Sequence, residues 1–253
     1  MKQRLYDLIN SRMGARLFSP LIHEPIRSGA LNIHTGKGRV ETLQQLQIRL
    51  GRYERYERML VRKYFHDDLN TLDLGASLGV IACEILGHLK TGKLISVEAD
   101  PELCEIARTN ISFNFPRSGA EVINAAVVSE TEAISSIQFG RPLSGNLGGH
   151  VLGTLSGHSD VISVPAVTLP KIVEKFGNES FQLSCDIEGS EIPLFLHSKD
   201  AFRKCELMMV ELHNSSYNGE NYTPQRVAAI IENNLAMKKR HQKDNVYLFV
   251  RTP

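Results

Sequence analysis

The chain has 253 residues, a length that suits a single α/β domain with an N-terminal addition. Its hydrophobic content of 42% and charged content of 23% are ordinary for globular proteins and argue against a disordered chain or a disulfide scaffold. A formal net charge of +1 provides no large positive field, so a nucleic acid is not expected as a partner.

The N-terminal residues and the cysteines bear on the cellular compartment. Charged residues interrupt residues 1–18, which therefore lack the apolar core of a signal peptide. No stretch reaches the roughly 18 apolar residues that are needed to span a bilayer. The four cysteines have no C-x-x-C spacing and are expected to be reduced and structural. These features predict a cytoplasmic protein with no membrane partner.

The N-terminal part of the chain differs in pattern from the rest. Residues 1–40 contain several prolines and glycines, which break periodic structure. From Val40 to Phe65 apolar residues recur at spacings near three and four, which predicts one amphipathic helix. Arginines interleaved with glutamates on its other face are typical of a solvated surface with helix-spaced ion pairs. We therefore assign residues 1–65 to an arm packed on the core, through which a homo-oligomer could form, and residues 66–253 to the main domain.

From residue 70 onward, short apolar runs alternate with helical segments. The apolar runs predict buried strands, at Asn70–Gly75, Lys93–Glu98, Glu121–Val128, Phe181–Asp186 and Glu206–His213. Helices are predicted between them, at about residues 78–89, 101–114, 168–176 and 191–198. This alternation indicates an α/β fold, with βαβ units and a parallel sheet covered by helices on both sides.

Two proline positions and the C-terminal segment complete the pattern. Asp100 and Thr223 each precede a proline, an arrangement typical of a helix N-cap. The second cap precedes a predicted helix over Val227–Leu235. Residues 235–241 and 246–251 then predict an antiparallel hairpin.

The strongest local signal is the turn after the first predicted strand, which runs from Asp73 through Gly75 to Gly79. Glycine permits a tight bend and close approach of a ligand, and open α/β sheets bind nucleosides at this edge. Asp73 stands where G-x-G-x-x-G has its first glycine, so the turn suits a nucleoside without phosphates. S-adenosylmethionine fits this description. We expect Asp73 to meet its amino group, and backbone N–H groups around Ala76, Ser77 and Gly79 to meet its carboxylate.

The second predicted strand ends in Glu98, roughly 20 residues beyond the glycine turn. A carboxylate at this distance can accept hydrogen bonds from both ribose hydroxyls. Ala99 and Asn124 are assigned as further cofactor positions. The two acidic strand ends together predict a nucleoside site. The alternative is that Asp73 and Glu98 merely cap helices.

Several segments, taken in order, resemble the motif series of the FkbM family of O-methyltransferases. They are Asp73-Leu-Gly-Ala-Ser-Leu-Gly, Val97-Glu-Ala-Asp-Pro, Asn124-Ala-Ala-Val, Val164-Pro-Ala-Val-Thr-Leu, Cys185-Asp-Ile-Glu-Gly-Ser-Glu and Val210-Glu-Leu-His. Cys185 stands where this family often has lysine, and Ser77-Leu78 replaces the usual Asn-Ile. The resemblance implies a Rossmann-like class I methyltransferase fold, with a mostly parallel, seven-stranded sheet whose last strand is antiparallel. It also implies S-adenosylmethionine as cofactor and a hydroxyl on a sugar or polyketide-type product as acceptor.

Asp186 ends the fourth predicted strand, which places it at the same crevice as Asp73. Its carboxylate could bind the cofactor's amino group, orient an acceptor hydroxyl or take its proton, and we favour orientation with added duty as a base. Glu188 and Glu191 follow shortly after. They are candidates for binding substrate hydroxyls or a cation, although acids are common at helix N-termini for electrostatic reasons alone.

Histidines provide a second candidate base and a candidate acceptor contact. His213 follows the candidate substrate-binding residue Glu211 at the end of the fifth strand, and its unperturbed pKa near 6.5 suits proton transfer. Methyl transfer needs mainly alignment, so a dedicated base is not essential. His150 and His158 lie in a glycine-rich loop, and His150 is a candidate for contacting the acceptor. Their spacing fits no metal motif, and no metal is predicted.

The sequence thus predicts methyl transfer from S-adenosylmethionine to a hydroxyl oxygen of a carbohydrate-like or natural-product small molecule. Two alternatives remain. A nicotinamide-dependent oxidoreductase also uses a glycine-rich turn and a ribose-binding acid, although the first glycine of its fingerprint is missing here. A catalytically silent nucleoside-binding module would keep the pocket and recruit a partner through the predicted N-terminal helix.

Overall fold

The computed structural model describes residues 22–36, 38–129, 134–142, 147, 150–151 and 159–252. The strands are β1 (Ile26–Ser28), β2 (Leu31–Ile33), β3 (Asn70–Leu74), β4 (Leu94–Glu98), β5 (Glu121–Asn124), β6 (Ala126–Val128), β7 (Ser136–Pro142), β8 (His150–Val151), β9 (Ser159–Thr168), β10 (Phe181–Cys185), β11 (Cys205–Glu211), β12 (Ser215–Tyr217), β13 (Glu220–Tyr222), β14 (Met237–Lys243) and β15 (Val246–Arg251). The α-helices are α1 (Thr42–Arg49), α2 (Arg55–Tyr64), α3 (Val80–His88), α4 (Pro101–Asn114), α5 (Leu169–Val173), α6 (Glu191–His197) and α7 (Pro224–Asn234). Short 3-10 turns cover Glu174–Phe176 and Lys199–Phe202.

The central sheet has seven strands in the order β14-β15-β11-β10-β3-β4-β5. The strands from β11 to β5 pair in parallel, whereas β15 is antiparallel to both of its neighbours. From β3 the chain moves outward through β4 and β5 and then returns to β10 on the other side, so the strand order reverses beside β3. The carboxyl ends of β3, β4 and β10 therefore open into one crevice. The predicted class I methyltransferase fold is confirmed.

Two hydrophobic clusters cover the two faces of this sheet. Along β11, Met208 and Val210 belong to one cluster and Leu207 and Met209 to the other, as the alternation of side chains in a strand requires. The second cluster also contains apolar residues of β1, β2, α1 and α2, so these N-terminal elements pack on the same face of the sheet as α3. The division into an arm and a main domain stays a prediction. All four cysteines are buried and free, as expected.

The single helix predicted over residues 40–65 is wrong, because the chain forms two helices with a break between them. Gly51, with a φ of 63°, follows the last turn of α1, and its N–H donates to the Ile48 carbonyl at 3.0 Å. A left-handed glycine just past a helix is a common way to end it. Glu54, with a φ of 49°, then precedes α2 in the same left-handed region.

The predicted solvated arginine face is also wrong in part. Arg58 is buried, and its guanidinium donates to the Glu84 carboxylate and to the Ser28 hydroxyl, each at 2.9 Å. Arg62 pairs with the same carboxylate. The acidic partner therefore lies on α3 and not on the same helix, so these arginines attach α2 to the domain.

The strand predicted over Glu121–Val128 is divided between two sheets. β5 completes one edge of the central sheet, whereas β6 pairs with β9 in a four-stranded sheet of order β6-β9-β7-β8. Between them the Ala125 N–H donates to the Glu98 carbonyl at 3.1 Å, which ties the bend to the end of β4. The predicted N-caps are confirmed, since Asp100 and Thr223 accept backbone N–H groups of their own helices. Among the described helices, none is long and apolar enough to cross a membrane.

Candidate active site

Backbone contacts at Gly75 join the carboxyl ends of β3, β4 and β10. The Asp186 N–H donates to the Leu74 carbonyl at 2.8 Å, and the Gly75 N–H donates to the Val97 carbonyl at 2.9 Å. Gly75 has a φ of 84°, and a Cβ at this position would overlap the carbonyl oxygen of Asp186. Only glycine fits such a bend without a backbone shift, which confirms the predicted tight turn.

A cavity of about 250 Å³ opens at this edge of the sheet, near the lower size limit of small-molecule sites. Five predicted cofactor positions line it, namely Gly75, Ser77, Glu98, Ala99 and Asp186. Two predicted substrate positions, Glu188 and Glu211, line it as well. Seven of the predicted site residues therefore line the same cavity.

Glu98 lines this cavity with only 6% of its surface exposed. Its Oε2 accepts the Ser77 N–H at 2.7 Å, and its Oε1 accepts the Asp100 N–H at 2.8 Å. Burial raises the pKa of Glu98 to about 7, although the two N–H groups act to lower it. Each carboxylate oxygen has a second lone pair, so each can still accept one further hydrogen bond.

Asp73 lies beside the main cavity. It is 2% exposed, and its Oδ2 accepts the Ser96 hydroxyl at 3.1 Å. It lines a smaller cavity of about 30 Å³ that shares Glu54 and Asp186 with the main one. Burial raises the pKa of Asp73 to about 6. The two predicted acids thus lie at the same edge of the sheet, as neighbouring strand ends require, but in adjoining cavities.

Three backbone amides of the glycine turn already have hydrogen-bond acceptors in the protein. The Ala76 N–H donates to the Val97 carbonyl at 3.1 Å, and the Gly79 N–H donates to the Ala76 carbonyl at 2.7 Å. The Ser77 N–H is the one that Glu98 accepts. These three amides therefore already have acceptors in the protein, and their contact with the carboxylate of the cofactor stays a prediction. Ala76 lines only the smaller of the two cavities.

Gly79 and Asn124, also predicted to contact the cofactor, line neither cavity and have supporting roles instead. A Cβ on Gly79 would lie 3.1 Å from the Ala107 Cα, so glycine permits α3 to pack closely on α4. The Asn124 amide donates to the carbonyls of Glu98 and Ala99, both at 2.9 Å. This side chain therefore fixes the backbone that carries Glu98.

His213 brings the predicted acids into one cluster. Its Nε2 lies 3.9 Å from Asp186 Oδ1, 3.4 Å from Glu188 Oε2 and 3.8 Å from Glu211 Oε1. Its Nδ1 lies 3.5 Å from Oε1 of the buried Glu191. One ligand atom from each of Asp186, Glu211 and His213 lies within 4.8 Å of the others, a spacing at which a divalent cation could be held. The absence of a metal requirement stays a prediction.

Burial and charge shift the pKa values within this cluster. Burial lowers the pKa of His213, but the carboxylates of Glu191, Asp186 and Glu188 outweigh it and raise that pKa to about 9. Burial, followed by the charges of Glu188 and Glu211, raises the pKa of Asp186 well above its usual range. At neutral pH His213 is therefore positively charged, and its imidazolium stabilises the neighbouring carboxylates.

Part of the cavity wall comes from residues that the sequence did not indicate. Gln44, Tyr53 and Glu54 come from the N-terminal segment, and Phe139 and Leu147 come from the region between β6 and β9. The three N-terminal residues were assigned to a continuous amphipathic helix. The glycine after Leu50 is the signal that could have indicated a break there.

The backbone of His150 lies within the described residues. Its backbone lies in β8, where it pairs with Gly140. Its side chain lies outside the described residues, as does the whole of His158. The proposed contact between His150 and the acceptor stays a prediction.

Several polar atoms in the wall fit a ligand with both donors and acceptors. Glu54 Oε2, Ser77 Oγ and Asp186 Oδ1 are buried and have no hydrogen-bond partner. Buried polar atoms are almost always satisfied in proteins, so these atoms favour a polar ligand. With Glu98 in the same wall, the residues fit a nucleoside that carries an amino-acid group.

The chain is similar in sequence to one protein family and in fold to solved methyltransferases. A family model described as the methyltransferase FkbM domain matches residues 73–241. None of the curated proteins compared with the chain matches it. The fold is similar to magnesium protoporphyrin IX methyltransferase from Synechocystis with bound S-adenosylmethionine, at 8% identity, a TM-score of 0.46 and coverage of 83% of this chain and 84% of that one. It is also similar to an rRNA methylase from Streptococcus thermophilus, at 7% identity, a TM-score of 0.44 and coverage of 79% and 96%.

Proposed function

Because the chain belongs to the FkbM methyltransferase family, we propose that it transfers a methyl group from S-adenosylmethionine to a hydroxyl oxygen of a carbohydrate-like or natural-product small molecule. One observation carries the proposal. The cavity that contains Glu98 adjoins the carboxylate cluster around His213, at the edge where the strand order reverses. A nucleoside site and a group of hydroxyl-binding side chains therefore lie side by side.

Three residues would hold the cofactor, which when bound supplies an electrophilic methyl group on its sulfonium. Glu98 has a free acceptor site on each oxygen for the ribose hydroxyls. Gly75 allows close approach to the backbone at the bend, because it has no side chain. Ser77 contributes a buried hydroxyl without a partner, a suitable donor to a carboxylate.

The acceptor side of the cavity is acidic. Asp186, Glu188 and Glu211 line it where β10 and β11 end. Ionised carboxylates only accept hydrogen bonds, so they fit the O–H donors of a polyhydroxylated molecule. Several such contacts would also fix which hydroxyl faces the transferred group, and alignment is the main requirement of this reaction.

Asp186 is the residue that we assign to orienting the acceptor hydroxyl and receiving its proton. Its raised pKa brings its basicity closer to what proton transfer at neutral pH needs. His213 carries a proton at neutral pH and cannot accept another, so it acts as a positioning residue for Asp186. This assignment favours Asp186 over His213 as the base.

Incubation of the purified protein with S-adenosylmethionine and a panel of sugars, polyketides and amines tests the proposal by mass spectrometry. We expect a product that gains one methyl group on oxygen, and S-adenosylhomocysteine in equal amount. Asp186→Asn should lower kcat by about 100-fold with little effect on S-adenosylhomocysteine binding. The control variant Asp200→Asn, which changes an exposed side chain, should leave kcat unchanged.

Three results would contradict the proposal. Methylation of amines alone would replace oxygen with nitrogen as the acceptor atom. Binding of S-adenosylmethionine without any product across a broad panel would support the silent binding module. Binding of a nicotinamide dinucleotide, with none of S-adenosylhomocysteine, would support the oxidoreductase.

A further inference from the structure

Glu54 occupies the break between α1 and α2 in a conformation that residues with a side chain rarely adopt. Its φ is 49° and its ψ is 36°, and its side chain makes no capping hydrogen bond to α2. The left-handed region is unfavourable for residues other than glycine. Strained residues persist where the surrounding structure imposes the conformation, and they are frequent at ligand sites.

This conformation accompanies a side chain that lines the candidate site. Glu54 lines both the main cavity and the smaller one beside it, and Asp186 lines both as well. Its Oε2 is buried without a hydrogen-bond partner. Burial raises the pKa of Glu54 well above its usual range, and the charges of Glu57, Asp186 and Asp73 raise it further. Carboxylates that converge in this way are stabilised when a cation binds among them.

The position of Glu54 relative to Glu98 indicates which part of the cofactor it faces. If Glu98 at the end of β4 accepts the ribose hydroxyls, the amino-acid part of the cofactor extends across β3 toward β10, where Asp186 follows the strand. The N–H groups of Gly75, Ala76, Ser77 and Gly79 already have acceptors in the protein, so acidic side chains are the better candidates to recognise the amino-acid part. An ammonium group has three N–H donors for carboxylates, whereas a sulfonium has none.

We propose that Glu54, together with Asp73 in the smaller cavity, binds the ammonium group of the amino-acid part of S-adenosylmethionine. This inference rests on the proposed function, because it takes that molecule as the cofactor. Glu54 precedes the range 73–241 that matches the methyltransferase family model. The N-terminal segment therefore completes the cofactor site as well as covering the sheet.

Calorimetric titration of variants with two ligands tests the assignment. S-adenosylhomocysteine carries the ammonium group, whereas 5′-methylthioadenosine keeps the adenosine and the sulfur but lacks the amino-acid part. Glu54→Gln should lower the affinity for S-adenosylhomocysteine by about 10- to 100-fold and leave the affinity for 5′-methylthioadenosine unchanged. Glu105→Gln, which removes a carboxylate that is 71% exposed, is the matched control.

A second variant guards against misfolding. Glu54→Gly removes the carboxylate but suits the left-handed backbone, so it should unfold at or above the temperature of the unmodified protein and show the same loss of S-adenosylhomocysteine affinity. Equal weakening of both ligands, or unchanged binding of both, would overturn the role given to Glu54. If the unmodified protein binds neither ligand, the proposed function itself fails, so the two failures are distinguishable.

Discussion

Replacing Glu98 with alanine should weaken S-adenosylhomocysteine binding by roughly 5- to 150-fold, which corresponds to about 1–3 kcal/mol. Each oxygen of this carboxylate accepts one backbone N–H and retains one acceptor site, which in the proposed function is used by a ribose hydroxyl. A hydrogen bond to a charged group contributes about 1.5–3 kcal/mol. Water that enters the enlarged cavity compensates for part of the two lost bonds, so a net loss smaller than their sum is expected.

Calorimetry on Glu98→Ala, with Glu105→Ala as the exposed control, measures this loss directly. The affinity for 5′-methylthioadenosine should fall as well, because that ligand contains the same ribose. A pH series gives a second readout. Since the pKa of Glu98 is raised to about 7 by burial and hydroxyl donors bind the ionised form, the affinity for 5′-methylthioadenosine, which lacks the ammonium group, should rise from pH 6 to pH 8 in the unmodified protein and stay flat in the variant. Unchanged affinity in a folded variant would remove Glu98 from the site.

Three further predictions concern stability and charge. Gly75→Ala should destabilise the fold by more than about 3 kcal/mol in urea denaturation, because its Cβ would overlap backbone, whereas Gly119→Ala, into open space at a similar φ, should cost about 1 kcal/mol. Arg58→Met should cost about 3 kcal/mol by breaking a buried ion pair. Burial acts to raise the pKa of Glu84, but its two arginine partners outweigh burial and lower that pKa. The ionised carboxylate therefore stabilises the fold above pH 4.5, and this stabilisation is lost as the pH falls through the lowered pKa. Because Arg58→Met removes one of the two partners, the variant should lose less stability on acidification than the unmodified protein. Binding of cationic S-adenosylmethionine should lower the pKa of His213 from about 9, because a nearby positive charge disfavours the imidazolium. A pH titration followed by NMR of the imidazole ring checks this, and a rise in the pKa on binding would contradict the placement of His213 beside the site.

The sequence sufficed for the central sheet because its signals are local and agree with one another. Apolar runs, proline-marked caps and the Asp73 to Gly79 turn each predict the same βαβ order, and the structure confirms it. The acids at the strand ends were found for the same reason, since parallel strands end at one edge. The sequence pattern alone therefore predicts where the crevice lies.

The rest of the site depends on contacts that are distant in sequence. The amides of Ala76 and Ser77 are consumed by Val97 and Glu98, which no spacing within the turn reveals. Likewise, the apolar spacing of residues 40–65 continues through Gly51, although the helix is broken there. Periodicity reports which face is apolar, and it does not report where a helix stops.

The strand order has a consequence for how the molecule is assembled during translation. β15 lies between β11 and β14, so the sheet stays open beside β11 until the ribosome has added residues as far as Arg251. A nascent chain that stops before β15 leaves the backbone of β11 unpaired on one side, and Met208 and Val210 then lack their neighbours Phe249 and Tyr247. Stalled or truncated chains of this protein should therefore be substrates for chaperones and proteases even though the cofactor crevice, at β3, β4 and β10, has already been synthesised.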